Sequence, residues 1–326
     1  MAFKLTNAAD NSVLHENTLS AEDFSTIKEF DGEWMEMDLP IGKMRMKQWI
    51  FDGVRMGYSD CLLKKPASFN WEGDMDVITM YYSLKGSVSI GCDPSRQIVL
   101  GNNEQNIFYG KEAGGFMKVD EMRMKSFIVQ FNTEAFLKIA VDGTDSLKYF
   151  ADQVALNKTC SFSEKALSID LDVQNAINAI VNCKFNDSLK RVFFLSKAME
   201  LLVLQADAHA RSASQKASFV KSDYDRDRIV FARDYMLQHM DMPPTIPELA
   251  KIAGINEFKL KKGYKEIFGT TIFGHLAEAR LQMAKEALQE GKKSISAIAF
   301  DLGYSSVQHF SVSFRKRFGI TPRQVK

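Results

Sequence analysis

The sequence predicts an α+β protein of two domains, a β-rich N-terminal domain completed by helices and an all-α C-terminal domain with two helix-turn-helix units in tandem. Three observations predict it. The 326 residues exceed what one hydrophobic core usually organises, so length alone suggests about two domains. Short β-branched and aromatic segments separated by turn residues fill the stretch from about Met44 to Phe131. A helical pattern near the C-terminus repeats itself, once over 245–271 and again over 294–321.

The strand segments are MRMKQWIF, VITMYYSL, SVSI, QIVL, NIFY and KSFIVQF, and their spacing predicts a sandwich or small barrel. Two helices follow, one near Leu171 to Cys183 and one from about Leu189 to Ala208, within a helical region of about 164–208. In the longer helix Val192, Leu195, Met199 and Leu202 recur at helical spacing, while Phe193, Phe194, Leu201, Val203 and Leu204 spread apolar surface beyond one stripe. A helix apolar on two sides needs two partners, so a homodimer built on residues 1–210 is expected, with Leu195 and Leu202 facing either the second copy or the core. The small and polar run RSASQKASFVKSDYD reads as a linker over 211–225, ahead of a C-terminal domain over 226–326.

The repeat carries the functional reading. Ile246, Leu249, Ala250 and Gly254 align with Ile295, Ile298, Ala299 and Gly303 at an offset of 49; Leu260, Tyr264, Phe268 and Gly269 align with Phe310, Phe314, Phe318 and Gly319 at an offset of 50. Each copy reads as a short amphipathic helix ended by Gly254 or Gly303, a tight turn, and a second helix ended by Gly269 or Gly319. Ala250 and Ala299 leave room for the second helix to cross the first. Asn256 and Ser305 are placed to cap the second helices, and Thr245 with Glu248 makes a capping-box pattern. Between the copies, Thr271 to Gln289 carries apolar residues at helical spacing and reads as a rigid strut. One such unit is weak evidence; two joined by one helix point to double-stranded DNA as the partner.

Charge agrees. From Asp223 onward 17 Lys and Arg face 12 Asp and Glu, a net of +5, which leaves 25 against 29, a net of −4, for residues 1–222. A basic domain on an acidic one suits DNA binding at one end. No apolar run reaches a membrane span and Met1 to Asp10 lacks signal-peptide features, so a cytoplasmic protein is expected. Cys61, Cys92, Cys160 and Cys183 show no CxxC pair, which fits reduced thiols and no structural zinc.

The segment GYSSVQHFSVSFRKRFGITPRQVK resembles the C-terminal signature of AraC-type transcription regulators, and the resemblance covers about Asp227 to Lys326. The stretch INEFKLKKGYKEIFGTTIFGHLAEARLQMAKEAL is similar to a subgroup that regulates siderophore uptake. The resemblance implies that both second helices enter successive major-groove segments on one face of the DNA. It puts Phe258, Lys261 and Lys262 of the first unit, and Val307, Gln308, Ser311 and Val312 of the second, towards the bases. Lys can donate to guanine, Gln can pair with adenine, and Phe or Val can touch a thymine methyl. Lys261 and Lys262 serve equally well as phosphate contacts. Arg315, Lys316 and Arg317 are expected over phosphate or solvent, His309 packed or facing phosphate, and Arg280 bracing the two units.

The resemblance further implies a cupin-like barrel that binds a small-molecule effector, dimerisation helices, and RNA polymerase as a partner. The effector is either an organic molecule or a preformed chelate such as a siderophore complex. Met44 to Phe131 holds no histidine, which argues against a metal-dependent cupin enzyme, and no metal or cofactor is expected. Trp34, Trp49, Trp71, Tyr81, Tyr82, Phe108, Tyr109 and Phe116 could enclose an apolar or aromatic ligand, or form ordinary core. Two rivals stand beside this reading. A regulator controlled by a protein partner would show no melting shift with metabolites. A DNA-repair enzyme with a methyl-acceptor cysteine needs a neighbouring histidine, which none of the four cysteines has in sequence.

Overall fold

The structure is a computed structural model that describes residues 3–17, 32–73, 76–92, 97–110, 114–214, 219–220 and 222–325. The chain divides into two compact units, Met1–Gln215 and Lys216–Lys326.

The first unit holds strands β1 (Phe3–Asn7), β2 (Val13–Asn17), β3 (Met35–Leu39), β4 (Gly42–Phe51), β5 (Val54–Leu63), β6 (Ala67–Glu72) and β7 (Val77–Lys85). These are followed by β8 (Val88–Gly91), β9 (Ile98–Leu100), β10 (Glu104–Tyr109), β11 (Gly114–Val119), β12 (Arg123–Asn132), β13 (Cys160–Ser161) and β14 (Leu167–Ser168). They form two antiparallel sheets. One runs β2-β1-β6-β11-β8-β9 and the other β13-β10-β7-β12-β5-β4-β3, with β14 beside β10. Among the described residues neither sheet closes on itself, so the expected barrel gives way to two open sheets. The end strands β2, β3, β9 and β13 are two to five residues long, too short to complete a cylinder by pairing. Strands also begin well before Met44. Segments such as FKLTN and MEMDL alternate weakly and carry charge, which hides edge strands from a search for apolar alternation.

The pleat gives the larger sheet two different faces. On β12, Phe127, Val129 and Phe131 are buried against helices, whereas Met124, Ser126, Ile128 and Gln130 point to the opposite side. The helical side is covered by α1 (Thr133–Ala140), α2 (Asp145–Ala155), α3 (Leu171–Val181) and α4 (Asp187–Ser214). Asn132, Thr144 and Asp170 cap the first three by accepting from backbone N–H groups. Helices α1 and α2 lie outside the expected helical region of 164–208; their eight and eleven residues give few turns in which to read a period. Phe136, Phe150, Val173, Ile177, Phe194 and Leu201 meet Phe51, Met56, Met80 and Tyr82 in one core. Each fully buried side chain of this size contributes roughly 1.5–3 kcal/mol.

Helix α4 separates two residues that its sequence left equivalent. Leu202 is 2% exposed and packs in the domain's own core, while Leu195 is 38% exposed, together with Leu189, Val192 and Val203. The expected linker over 211–225 is also corrected at both ends. Arg211 pairs with Asp207 one turn back at 2.8 Å and with Asp170 at 2.9 Å, which extends α4 to Ser214. Ser222 caps the next helix at Asp223. Residues 215–218 and 221 of that stretch lie outside the described residues.

The second unit consists of α5 (Asp223–Gln238), α6 (Ile246–Ala253), α7 (Glu257–Phe268), α8 (Ile272–Glu290), α9 (Ile295–Asp301) and α10 (Val307–Phe318), then a 3-10 turn over Pro322–Gln324. It has two cores. Leu249, Ala250, Leu260, Tyr264 and Phe268 gather against α5 and the start of α8; Ile298, Ala299, Phe310 and Phe314 gather against Leu281, Ala284 and Leu288 of α8. The strut thus supplies one apolar patch to each unit.

Candidate functional site

Each helix-turn-helix is built by its caps. Thr245 accepts from the Glu248 N–H while the Glu248 carboxylate accepts from the Thr245 N–H, and Asn256 accepts from the Lys259 N–H to start α7. In the second unit Ser294 starts α9, and Ser306, not Ser305, starts α10 by accepting from the His309 N–H. The extra residue in this turn lies before the cap, so the offset of 50 applies to it and Asn256 corresponds to Ser306. Gly254 and Gly303 both take positive φ, +69° and +75°, the conformation that ends a helix and turns the chain.

With Leu260, Tyr264, Phe310 and Phe314 fully buried, the opposite faces of α7 and α10 are turned outward. Phe258 is 63% exposed and Val312 67%. Lys261, Lys262, Gln308 and Arg315 are exposed, and Ser311 is half-buried. Lys261 Nζ lies 3.2 Å from Glu257, one turn back. Lys262 lies over the Phe219 ring at 5.8 Å, and that ring meets Phe258 edge-on at 5.9 Å. Phe219 therefore belongs to this surface, although nothing in the spacing of the repeat points to it. Val307 packs partly against the second core. Arg317 Nε donates to Glu278 of α8 at 2.7 Å, which ties the end of α10 to the strut. His309 is exposed, with its ring 5.8 Å from Tyr304.

Arg280 lies between the two helix-turn-helix units, with one edge of its guanidinium on Met240 of the first and the group near Tyr304 of the second. Its Nε donates to the Met240 carbonyl at 3.0 Å, Nη2 reaches the same oxygen, and the group lies 5.8 Å from the Tyr304 ring. Lys259 ties α7 to α5 through Asp225 at 2.9 Å. Beneath α7, Tyr264 Oη and His275 Nδ1 are 3.0 Å apart in the core. Burial, helped by Arg233, pushes the His275 imidazole down to about 4, so it is neutral near pH 7.

The first unit holds a separate feature, a cavity of about 790 Å³ lined by residues of both sheets. Leu5, Phe69, Trp71 and Met117 come from the smaller sheet, and Met44, Cys61, Tyr81, Met124 and Ile128 from the larger. Of the three tryptophans only Trp71 lines it; Trp49 is core and Trp34 is partly exposed. His15 also lines it, from β2, a strand the apolar pattern did not reveal. Burial first, then the charge of Arg55, holds the His15 imidazole below its ordinary value. Burial pushes the Cys61 thiol up to about 11 and the Tyr81 hydroxyl to about 12, so both stay protonated at neutral pH. Among the described residues no group of three or more His, Cys, Asp or Glu could hold a metal ion, and no helix is long and apolar enough to cross a membrane.

The profile of the regulatory protein PchR N-terminal domain matches residues 41–220, and that of a helix-turn-helix domain matches residues 249–326. Regulatory protein PchR of Pseudomonas aeruginosa is 31% identical over 123 residues, which is 38% of this chain and 42% of that protein. The match thus spans less than half of that relative's length. Regulatory protein SoxS of Escherichia coli is 34% identical over 85 residues, 26% of this chain and 79% of that protein. Among solved structures, an AraC-type DNA-binding-domain-containing regulator from Chromobacterium violaceum is 30% identical, over 32% of this chain and 93% of that one, with a TM-score of 0.30. The two profile matches place the chain among regulators rather than enzymes. Because the first profile alone covers more than half of its residues, the chain belongs to the AraC-type transcription regulators that carry a PchR-type N-terminal domain.

Proposed function

We propose that this protein is an effector-controlled, sequence-specific regulator that reads an asymmetric DNA site with α7 and α10. The observation that carries the reading is the equivalence of two separately capped helices, each of twelve residues, each buried on its aromatic face and open on the other. Phe258, Lys261 and Lys262 face one major-groove segment; Gln308, Ser311 and Val312 face the next, with Val307 at the inner edge. Arg315 lies over the DNA backbone, and Arg317 reaches phosphate only by sharing itself with Glu278.

The first unit, a cupin-like arrangement of two open sheets, receives the effector in its cavity, whose volume is in the range of small-molecule sites. The effector is an organic molecule or a preformed chelate of the siderophore class, since no described group of side chains is set to hold a bare metal. Two copies associate through the outer face of α4, where Leu189, Val192, Leu195 and Val203 are exposed. The dimer works in the cytoplasm and acts on RNA polymerase at the promoter.

Hydroxyl-radical footprinting of the full-length protein on a site selected from a random pool tests the DNA reading. Two protected backbone segments about one helical turn, roughly 34 Å, apart on one face are expected, each flanking an occupied major groove. A single protected segment would overturn the two-groove reading.

A further inference from the structure

We propose that the cavity of the first unit selects an aromatic effector, whose ring lies between the Trp71 indole on one sheet and a row of sulfur side chains on the other. The proposal rests on the reading of this cavity as the effector site and names the class of molecule it takes.

The sulfur row follows from the strand register. Met37 pairs with Met44 across β3 and β4, Met44 with Cys61 across β4 and β5, and Cys61 with Met124 across β5 and β12. Residues directly opposite in antiparallel strands share a face, so four sulfur-bearing side chains cross four adjacent strands side by side. Met44, Cys61 and Met124 of that row line the cavity. Thioether and thiol sulfurs are polarisable and favour contact with aromatic ring edges. The Cys61 thiol keeps its proton, so the sulfur row itself carries no charge, while Lys43 of β4 also lines the cavity.

Two residues along β5 and β12 the next row turns polar, while on β4 and β3 it continues with Met46 and Met35. Ser59 pairs with Ser126, and their hydroxyl oxygens are 2.8 Å apart. Both line the cavity, and they offer a hydrogen-bonding anchor beside the sulfur wall. Among the described residues the lining contains no Asp or Glu.

On the opposite sheet, Gly115 pairs with Trp71. A Cβ at position 115 would come within 2.7 and 2.8 Å of the Trp71 ring atoms, so the indole lies over bare backbone that any side chain would occupy. Phe69 and Met117 flank it on the same wall. An indole laid down on one wall and sulfurs on the other form a slot whose chemistry suits a flat ring better than a saturated one. The serine pair then favours a ring bearing a hydroxyl.

Calorimetric titration of the full-length protein with 4-phenylphenol and with its saturated counterpart 4-cyclohexylcyclohexanol tests this. The two share a hydroxyl and overall length but differ in aromaticity. The expected result is one site per chain with 4-phenylphenol bound about tenfold more tightly, a ratio that collapses in Trp71→Leu, survives in Trp71→Phe, and falls in the Met44→Leu/Met124→Leu double variant. Equal affinity of the two alcohols, or a ratio unchanged in Trp71→Leu, overturns the aromatic slot and leaves the cavity reading intact. Binding of neither overturns both.

Discussion

Replacing Gly303 and Gly254 by alanine separates the backbone requirement of the turn from the bracing by Arg280. Both glycines have positive φ, which an L-residue adopts at a cost of roughly 1–2 kcal/mol. At Gly254 that is the whole effect, since the nearest atom to an added Cβ is Arg228 Nη2 at 3.6 Å. At Gly303 the Cβ would lie 2.5 Å from Arg280 Nη2 and 2.6 Å from the Asp241 carbonyl oxygen. Arg280 must then leave the Met240 carbonyl that it holds, and a hydrogen bond from a charged group contributes about 1.5–3 kcal/mol. Gly303→Ala should therefore destabilise by about 3–5 kcal/mol and Gly254→Ala by about 1–2. Hydrogen exchange of full-length protein, read on peptides spanning 246–268 and 295–318, reports each unit separately. Local opening should rise roughly tenfold in Gly254→Ala and on the order of a thousandfold in Gly303→Ala, at about 1.4 kcal/mol per factor of ten. Equal increases at both sites would refute the assignment of Arg280 as the brace.

Three further outcomes are expected. Gln308→Ala should relax base preference in one half of the selected site and weaken it by about 1–3 kcal/mol, whereas Lys262→Ala should act on the other half or, as a phosphate contact, weaken all sequences alike and lower the salt slope by about one unit; binding-site selection and salt titrations distinguish these. Val192→Glu with Val203→Glu should yield folded monomers by light scattering, while Leu202→Glu, which puts a charge into the core, should be insoluble; a folded dimer carrying both outer glutamates would exclude α4 as the interface. The His275 imidazole is lowered from 6.5 to about 4, so the folded state resists protonation more than the unfolded one. Its stabilisation is present above about pH 6.5 and lost as pH falls towards 4. Exchange of α7 and α8 peptides, corrected for intrinsic rates, should rise over that window in the wild type and flatten in His275→Gln.

The C-terminal unit was legible in the sequence because its information is local. Helix period, capping residues and terminal glycines act within four or five positions of one another, so the repeat of Ile246, Leu249, Ala250 and Gly254 at Ile295, Ile298, Ala299 and Gly303 already describes two units and their turns. Ser306 rather than Ser305 caps α10 because the single inserted residue of the second turn lies before the cap. Even so, the sequence could not say that Arg317 turns to Glu278, that Val307 leans on the core, or that Phe219 joins Phe258 and Lys262, since each depends on side chains brought together by helix packing.

The N-terminal unit was legible only in part, for the same reason reversed. Its strong strands, such as VITMYYSL and KSFIVQF, announce themselves by composition, but sheet register pairs residues far apart in the chain. Met44, Cys61 and Met124 become one wall only through that pairing, and Trp71 becomes a platform only because Gly115 lies opposite. By itself the sequence determined the class of protein, the tandem units and the outward faces of their second helices. Tertiary structure alone decided which side of α4 meets the core, that the sheets stay open among the described residues, and what lines the cavity, because burial and cross-strand contact are properties of the packed chain and not of any local segment.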